Sequence, residues 1–475
     1  MSLSAPSTRL SEEVTSDLKQ LAADVLAKAL KAGATDAEAV VYEGDEFSAQ
    51  VRLGQVETLK ESGSRAVGLR VFIGQRVAST SSSDFSDESI ARLVDGAVTL
   101  AKITSEDPFA GLPETHAFGQ TYAADGSELK LYFEDVNEQP PAERIEMARR
   151  CEAAAMAYDT RIQNSGGGEY DAGTSHKILM NSRGFWGEYR RSKCGFSAEP
   201  IAVDEKGGMQ RNYWYSSART VKNLDSPEAV GEEAARRTLR RLGARQVKTQ
   251  KAPVVFSPEI ARSIMGNIFS AAEGDAIYRN ASFFAGMLGE QVAGHNITVV
   301  DDGTMEFDGI GGFGTSPFDG EGLPTRRTVL VERGILKNYV MNTYTARKLG
   351  MQSTGNASRG LAGTPGIGAG NFYLEAGTET PEEILRDVRS GLYVTEVMGF
   401  GVNLVTGDYS QGASGMWIEN GEMAYPVEEI TIAGNLKDMY KNIVAIGNDL
   451  VFRGASAAPT IRVEGMMIAG TSCGL

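Results

Sequence analysis

Residues 395–448 constrain the fold of this chain most strongly, because short strand-like runs alternate there with glycine turns. Residues 416–418 (MWI) and 422–425 (EMAY) flank the sequence Glu419-Asn420-Gly421. An Asn-Gly pair between two such runs is the strongest short-range signal of a β-hairpin. We expect Pro426 to end the second strand or to mark a sheet edge, because proline has no N–H to donate to a ladder. The stretch therefore predicts an antiparallel, strand-rich region.

The rest of the chain alternates predicted helices with glycine-separated strands. A helix over residues 11–31 precedes a meander at residues 37–80, in which Gly54, Gly63 and Gly74 are expected to separate the strands. The order of helix, meander and helix returns between residues 140 and 243, followed by a charged link at residues 245–251. We predict an α+β fold of two domains. Residues 1–244 form an N-terminal domain of helices with two antiparallel meanders, and residues 252–475 form a β-rich C-terminal domain.

Charge and composition exclude several classes of function. Lys and Arg number 47 against 62 Asp and Glu, a formal net charge of −15, which argues against a nucleic-acid partner because phosphate binding needs a basic surface. No apolar run approaches the roughly 18 residues of a membrane helix, and the N-terminus has no signal-type apolar segment. Cys151, Cys194 and Cys473 are few and isolated, as in a reducing compartment. The sequence predicts a cytoplasmic protein without a membrane partner.

Several motifs in the second half resemble the PmbA/TldE branch of the TldD/PmbA family, whose older label is modulator of DNA gyrase. The resemblance is strongest over residues 257–470. The motifs lie at residues 299–304 (VVDDGT), 333–336 (RGIL), 346–350 (ARKLG), 353–356 (STGN), 405–410 (VTGDYS), 417–421 (WIENG) and 432–436 (IAGNL). Membership implies a metallopeptidase family that degrades or processes peptides.

The same resemblance implies that this chain lacks the family's zinc site. The TldD branch carries His-Glu-x-x-x-His on a helix, followed two residues later by Glu-Gly-Asp, and zinc is held by such neutral imidazoles. Here residues 273–275 (EGD) set the register, which places Met265, Gly266 and Ser270 at the metal-site positions. We therefore expect no catalytic residue, no metal ligand and no cofactor in this chain. Its histidines are His116, His176 and His295, and Cys473 is a tail thiol instead of the family's ligand.

Two weaker motifs favour ordinary loops. Residues 309–314 (GIGGFG) match G-x-G-x-x-G, but a turn-rich segment follows where a dinucleotide site needs a helix N-terminus. Residues 301–302 (DD) and the pair Asp319 and Glu321 carry oxygens suited to a divalent cation. Acidic, glycine-rich surface turns are the commoner explanation of such residues.

The resemblance implies the non-catalytic subunit of a TldD/TldE-type peptidase, with zinc in a TldD-like paralogue and a peptide as substrate. A homodimer remains open when the chain is alone. Alternatives are a self-sufficient peptidase with an unrecognised site, or a peptide- or protein-binding homodimer without enzymatic activity. Tight turns and close strand packing explain the glycines near residue 400 equally well. The candidates for contact with peptide or partner are Gly399, Gly401, Gly407, Asp408, Tyr409, Gly412, Gly415 and Trp417.

Overall fold

A computed structural model describes residues 9–118 and 126–470 and has an α+β fold. The described part of the N-terminal half has five helices: α1 (Arg9–Lys31), α2 (Asp87–Ile103), α3 (Asp135–Glu138), α4 (Pro141–Ala157) and α5 (Pro227–Leu239). The strands described there are β1 (Asp36–Arg52), β2 (Gln55–Ile73), β3 (Arg76–Ser82), β4 (Ile162–Asn181), β5 (Trp186–Val203), β6 (Met209–Arg211) and β7 (Trp214–Ala218). Short 3-10 turns lie at Thr115–Ala117, Ser127–Leu129 and Val221–Asn223.

The two predicted meanders form one antiparallel sheet of order β3-β2-β1-β4-β5-β6, in which β7 also pairs with β5. The pairing of β1 with β4, from Glu38 opposite Asn181 to Val51 opposite Gly168, joins them. Gly63 does not separate two strands, contrary to the prediction, but lies inside β2 opposite Asp45. Because β1 pairs with β2 both before and after this glycine, β2 continues through it.

The two faces of this sheet have different partners. Side chains alternate between faces along a strand, and the odd-numbered residues of β1 meet the helices. Ala39 and Val41 pack with α1 and α2, whereas Phe47 and Val51 pack with α4 and α5. On the opposite face, Val40 joins a cluster that includes Phe318 of the C-terminal half. One face is therefore covered by helices, and the other joins the two halves of the chain.

The C-terminal half is richer in strands. Its helices are α6 (Pro258–Ala272), α7 (Gly274–Tyr278), α8 (Thr343–Leu349), α9 (Pro381–Arg386) and α10 (Leu436–Lys441). Its shorter strands are β9 (Val299–Asp302), β10 (Glu306–Phe307), β11 (Ile310–Gly311), β13 (Ile335–Leu336), β14 (Ala357–Ser358), β15 (Gly366–Ile367), β16 (Asn371–Leu374), β20 (Ile443–Ile446) and β21 (Ser456–Ala457). The longer ones are β8 (Gln250–Phe256), β12 (Arg327–Glu332), β17 (Ser390–Met398), β18 (Asp408–Glu419), β19 (Glu422–Asn435) and β22 (Ile461–Ala469).

Two main sheets enclose the C-terminal core. One has the order β13-β12-β9-β16-β21, and the other has the order β19-β18-β17-β8-β22-β20. Because β19 also pairs with β22, the second sheet closes into a ring. Helix α6 contacts both sheets, and its Phe269 ring meets Phe372 of β16 edge to face at 5.5 Å. The apolar stripe of α6 is thus a central part of the core.

The predicted hairpin at Asn420-Gly421 is confirmed. Glu419 pairs with Glu422, and both turn residues have positive φ, as a type I′ turn requires. Of the two predicted alternatives for Pro426, the end of the second strand is wrong, since β19 runs on to Asn435 with Pro426 opposite Met416. The sheet-edge alternative agrees with the pairing, because β22 pairs with β19 only at residues 431–433. Register shifts on both sides of Met416 accommodate the position that lacks an N–H donor.

No helix among the described residues is long and apolar enough to cross a membrane.

Candidate functional site

The site is built at the C-terminal end of α6. The helix stops at Ala272, and the Gly274 amide donates to the Val340 carbonyl while the Val340 amide donates to that of Ala272. A Cβ on Gly274 would lie 2.8 Å from the Cβ of Thr345, so a glycine is required for this close approach. The sequence Glu273-Gly274-Asp275 is thereby held against the start of α8.

The three positions that the resemblance assigns to the family's metal site carry no side chain that binds zinc. Met265 is fully buried in the apolar core, and Gly266 has no side chain to offer. Ser270 lies half-buried near the end of the helix. A zinc ion needs nitrogen, thiolate or carboxylate ligands, so these three residues do not fit the ion. Within residues 9–118 and 126–470 there is no group of three or more His, Cys, Asp and Glu side chains that could hold a metal.

The histidines and described cysteines lie apart on separate elements. His116 and His295 are exposed, whereas His176 of β4 is buried and lies 2.8 Å from Glu188 Oε2. Cys151 and Cys194 are buried free thiols, and burial raises the pKa of each to about 12. Such thiols stay protonated and are poor nucleophiles. Cys473 lies outside the described residues.

A cleft of about 590 Å³ opens beside Glu273 and is lined by both halves of the chain. One wall is aromatic, because the Tyr344 ring packs edge to face against Phe109 and Tyr278, with 6.4 Å between the centroids in each pair. The Lys348 ammonium lies 4.4 Å from the centre of the Phe109 ring. The Tyr344 hydroxyl donates to Asp107 Oδ2 at 2.8 Å, which ties the 107–111 loop to α8.

The cleft also contains charged groups in unusual environments. Burial raises the pKa of the Glu273 carboxyl to about 7, and the nearby Asp275 charge adds to the effect. Arg70 is only 4% exposed and ion-pairs with Glu38, yet its Nη2 has no hydrogen-bond partner. Burial also raises the pKa of Glu321, which accepts from the Thr343 amide at 2.9 Å. This arrangement can bind amide and charged groups.

The glycines near residue 400 mostly serve close strand packing. A Cβ on Gly401 would lie 1.6 Å from the Ser410 carbonyl oxygen, and one on Gly415 would lie 1.9 Å from that of Tyr393. Gly412 packs against Met398. No side chain larger than hydrogen fits at the first two positions without moving a backbone.

The remaining predicted contact residues divide into exposed and buried ones. Gly399 and Gly407 have positive φ in the β17–β18 loop, and Asp408 is exposed. Hydrogen bonds from Thr406 and Asn435 lower the pKa of the Asp408 carboxyl. Tyr409 and Trp417 are 2% and 4% exposed, so their rings belong to the core and do not reach the surface.

The sequence analysis did not identify the exposed apolar side chains of the β17–β18 loop or most of the residues that line the cleft. In the β17–β18 loop, Phe400 is fully exposed and Val405 is more than half exposed, as is Met398 at the end of β17. The available signal was an aromatic residue between two glycines. In the cleft, Tyr278 and Arg279 follow closely on residues 273–275. Arg70, Phe109 and Tyr344 come from distant segments, and no local pattern connects them.

Comparisons with known proteins agree along almost the whole chain. Residues 37–101, 134–242 and 249–470 match PmbA/TldA metallopeptidase domain 1, the central domain and the C-terminal domain. Metalloprotease PmbA of Escherichia coli O157:H7 is 38% identical over 442 residues, which cover 93% of this chain and 94% of that protein. The Metalloprotease PmbA homolog of Haemophilus influenzae is 35% identical, and 98% of each chain is covered.

The fold comparison gives the same result. A Bacteroides thetaiotaomicron protein named as a candidate modulator of DNA gyrase superposes with a TM-score of 0.87 at 26% identity, covering 95% of this chain and 99% of that one. Together with the matching domains and the relatives above one-third identity, this places the chain in the PmbA/TldD metallopeptidase family.

Proposed function

We propose that this chain is the non-metal subunit of a TldD/TldE-type peptidase and that it holds peptide for a zinc-bearing TldD-like paralogue. The observation that carries the proposal is the contrast at α6. The Glu273-Gly274-Asp275 turn follows the helix and lines the cleft. The three positions assigned to the metal site hold Met265 in the core, Gly266 without a side chain, and Ser270. Hydrolysis is then the paralogue's reaction, and this chain binds no cofactor.

The cleft supports a peptide ligand by its size and chemistry. Its volume of about 590 Å³ lies within the range of roughly 300–1,000 Å³ that is usual for ligand sites. The aromatic wall at Phe109, Tyr278 and Tyr344 suits an apolar side chain. Glu273, with a pKa of about 7, is able to donate or accept a hydrogen bond near neutral pH. A peptide offers both kinds of group at once.

The surface proposed for the paralogue is the β17–β18 loop. Phe400 is fully exposed, whereas a folded chain normally shields an aromatic ring of that size from water. Aromatic side chains and Met are enriched at protein interfaces, and Met398 and Val405 flank the ring. The net charge of −15 argues against nucleic acid as the alternative partner. We place the assembly in the cytoplasm.

Mixing experiments test the assembly. The chain and a TldD-type paralogue should form a stable complex, and peptide cleavage should appear only in the mixture and depend on the paralogue's histidines. Phe400→Ser should weaken assembly by about tenfold or more if the ring anchors the interface. Met209→Ser is the matched control, because Met209 is 71% exposed on the other half of the chain.

The alternatives give different outcomes. Cleavage by this chain alone, after trace paralogue has been removed, would indicate a self-sufficient peptidase. A dimer of this chain that binds peptide but ignores the paralogue would indicate a binding protein without enzymatic activity. Either result would contradict the proposed subunit role.

A further inference from the structure

The aromatic wall of the cleft already holds one positive charge of the chain itself. The Lys348 ammonium lies 4.4 Å from the centre of the Phe109 ring and 5.4 Å from the centres of both the Tyr278 and Tyr344 rings. The face of an aromatic ring carries partial negative charge and attracts a cation within about 6 Å. The three rings therefore form a surface that suits a cation as well as an apolar group.

The Glu273 carboxyl lies beside these rings. Glu273 immediately precedes α7, and Tyr278 is the last residue of that helix. Five residues of helix span only about 7.5 Å along the axis. Gly274 packs against Thr345, which follows Tyr344 directly in α8. Because Glu273 and both tyrosines also line the same cleft, the carboxyl and the rings belong to one surface.

The two cations near this surface already have carboxyl partners. Arg279 Nη2 lies 3.3 Å from Asp275 Oδ1, and Arg279 Nε donates to the Tyr278 hydroxyl at 3.1 Å. Burial by itself raises the pKa of the Asp107 carboxyl, but its hydrogen bonds and the Lys348 charge lower that pKa below its ordinary value. Each cation is therefore balanced by one carboxylate.

Glu273 is the carboxyl that has no such partner. Its side chain forms no hydrogen bond and no ion pair with any residue in the part of the chain that the structure describes. Burial, which raises the pKa of this carboxyl to about 7, makes an isolated negative charge unfavourable there. A cation that entered the cleft would stabilise the charged form.

The charges at the Arg70 side of the cleft are balanced. Arg70 and Arg359 share the Glu38 carboxylate. Burial raises the pKa of Glu321, and the nearby Arg70 charge acts against this increase. The acidic residues that the sequence predicted at surface turns are in fact buried, namely Asp301, Asp302, Asp319 and Glu321. Two guanidinium groups thus accompany two carboxyls on this side, and the surplus carboxyl of the cleft is Glu273.

We propose that the cleft selects a peptide residue with a basic side chain, lysine or arginine. The aliphatic stem would pack against the Tyr278 and Tyr344 rings, and the charged end would pair with the Glu273 carboxylate. An apolar side chain would use only the rings, and an acidic one would be repelled by Glu273. The inference rests on the proposed role of the cleft in holding peptide, and it adds the class of residue that the cleft prefers.

Calorimetric titration of the isolated full-length chain with three blocked tripeptides tests this selection. The first is N-acetyl-Ala-Lys-Ala-amide. In the second, norleucine replaces lysine, which keeps the stem and removes the ammonium group, and in the third glutamate replaces lysine. We expect the lysine peptide to bind about tenfold more tightly than the norleucine peptide, because it adds a charge-assisted hydrogen bond. The glutamate peptide should bind most weakly.

A substitution and a spectroscopic measurement locate the selection at Glu273. Glu273→Gln should weaken binding of the lysine peptide by about tenfold and that of the norleucine peptide by less than about twofold. Glu290→Gln is the matched control, since Glu290 is exposed and does not line the cleft, and it should keep the preference. In the unsubstituted chain, the lysine peptide should lower the NMR titration midpoint of the Glu273 carboxyl. The norleucine peptide should leave that midpoint unchanged.

The outcomes distinguish this inference from the proposed function on which it rests. Equal binding of the lysine and norleucine peptides would overturn the selection and leave the peptide-holding role intact. A preference for lysine that persists in Glu273→Gln would also overturn it, because the charge would then be recognised elsewhere. If none of the three peptides binds at millimolar concentration, the peptide-holding role itself fails, and the selection fails with it.

Discussion

Arg359, from the second half of the chain, forms a 2.5 Å ion pair with Glu38 of the first strand. Both side chains are buried, at 1% and 0% exposure. Glu38 also pairs with Arg70 of β2, so one carboxylate compensates two buried guanidinium groups. Close by, Gly68 lets the Leu361 backbone approach, since a Cβ there would lie 1.6 Å from the Leu361 carbonyl oxygen. The two halves are therefore joined through buried charge as well as apolar contact.

Glu38→Gln should destabilise the protein by about 3–5 kcal/mol, because removing one member of a buried ion pair leaves an uncompensated charge. The free energy of unfolding, measured by chemical denaturation, checks this. Glu375→Gln is the control, because its pair with Arg327 is exposed on both sides and should contribute at most about 1 kcal/mol. Equal effects of the two substitutions would contradict the role of Glu38.

Trp417→Ala should cost about 3–5 kcal/mol of folding stability, as expected for truncating a large side chain inside a packed core. Trp186→Ala should cost much less, since Trp186 is 39% exposed. Denaturation curves of the isolated chain distinguish the two. A stable Trp417→Ala monomer with impaired assembly would instead make this residue an interface anchor.

Gly266→Ala should stabilise the chain by about 0.5–1 kcal/mol, because alanine suits a helix interior better than glycine. Nothing lies within 4 Å of the new Cβ. Gly415→Ala should do the opposite, with a cost of about 1–3 kcal/mol for displacing the Tyr393 backbone. Thermal denaturation of both variants gives the comparison. A destabilised Gly266→Ala variant would mean that the space beside α6 is occupied.

The Glu273 carboxyl should titrate near pH 7 in the folded chain, observed by carboxyl carbon NMR with Glu273→Gln for assignment. Its folded pKa is raised above the unfolded value, so the folded state binds the proton more tightly. This contribution to stability is largest at acidic pH and decreases as the pH rises toward 7. Asp275→Asn should lower the midpoint by removing a neighbouring charge. A midpoint near 4.5 would show that the carboxyl is well solvated.

The isolated chain should purify without stoichiometric zinc, because Met265, Gly266 and Ser270 provide no ligand set. Elemental analysis of the purified chain, with a TldD-type paralogue prepared identically as the positive control, measures this. About one tightly held transition metal per chain would contradict the assignment of hydrolysis to the paralogue.

Local sequence determined the features that depend on neighbours along the chain. The Asn420-Gly421 hairpin follows from two residues that tolerate positive φ, and the start of α6 follows from Pro258 at its first position. The C-terminal motifs identified the family from sequence alone, because several of them occur together along a long series of turns and strands.

Tertiary structure alone decided which distant residues meet. The alternation of side chains on β1 placed Glu38 and Val40 on the face toward the C-terminal half, but their partners Arg359 and Phe318 lie more than 250 residues away. The aromatic wall of the cleft likewise comes from separate segments. Such contacts depend on how whole sheets pack against each other. No short sequence pattern specifies which residues of two distant strands will face each other.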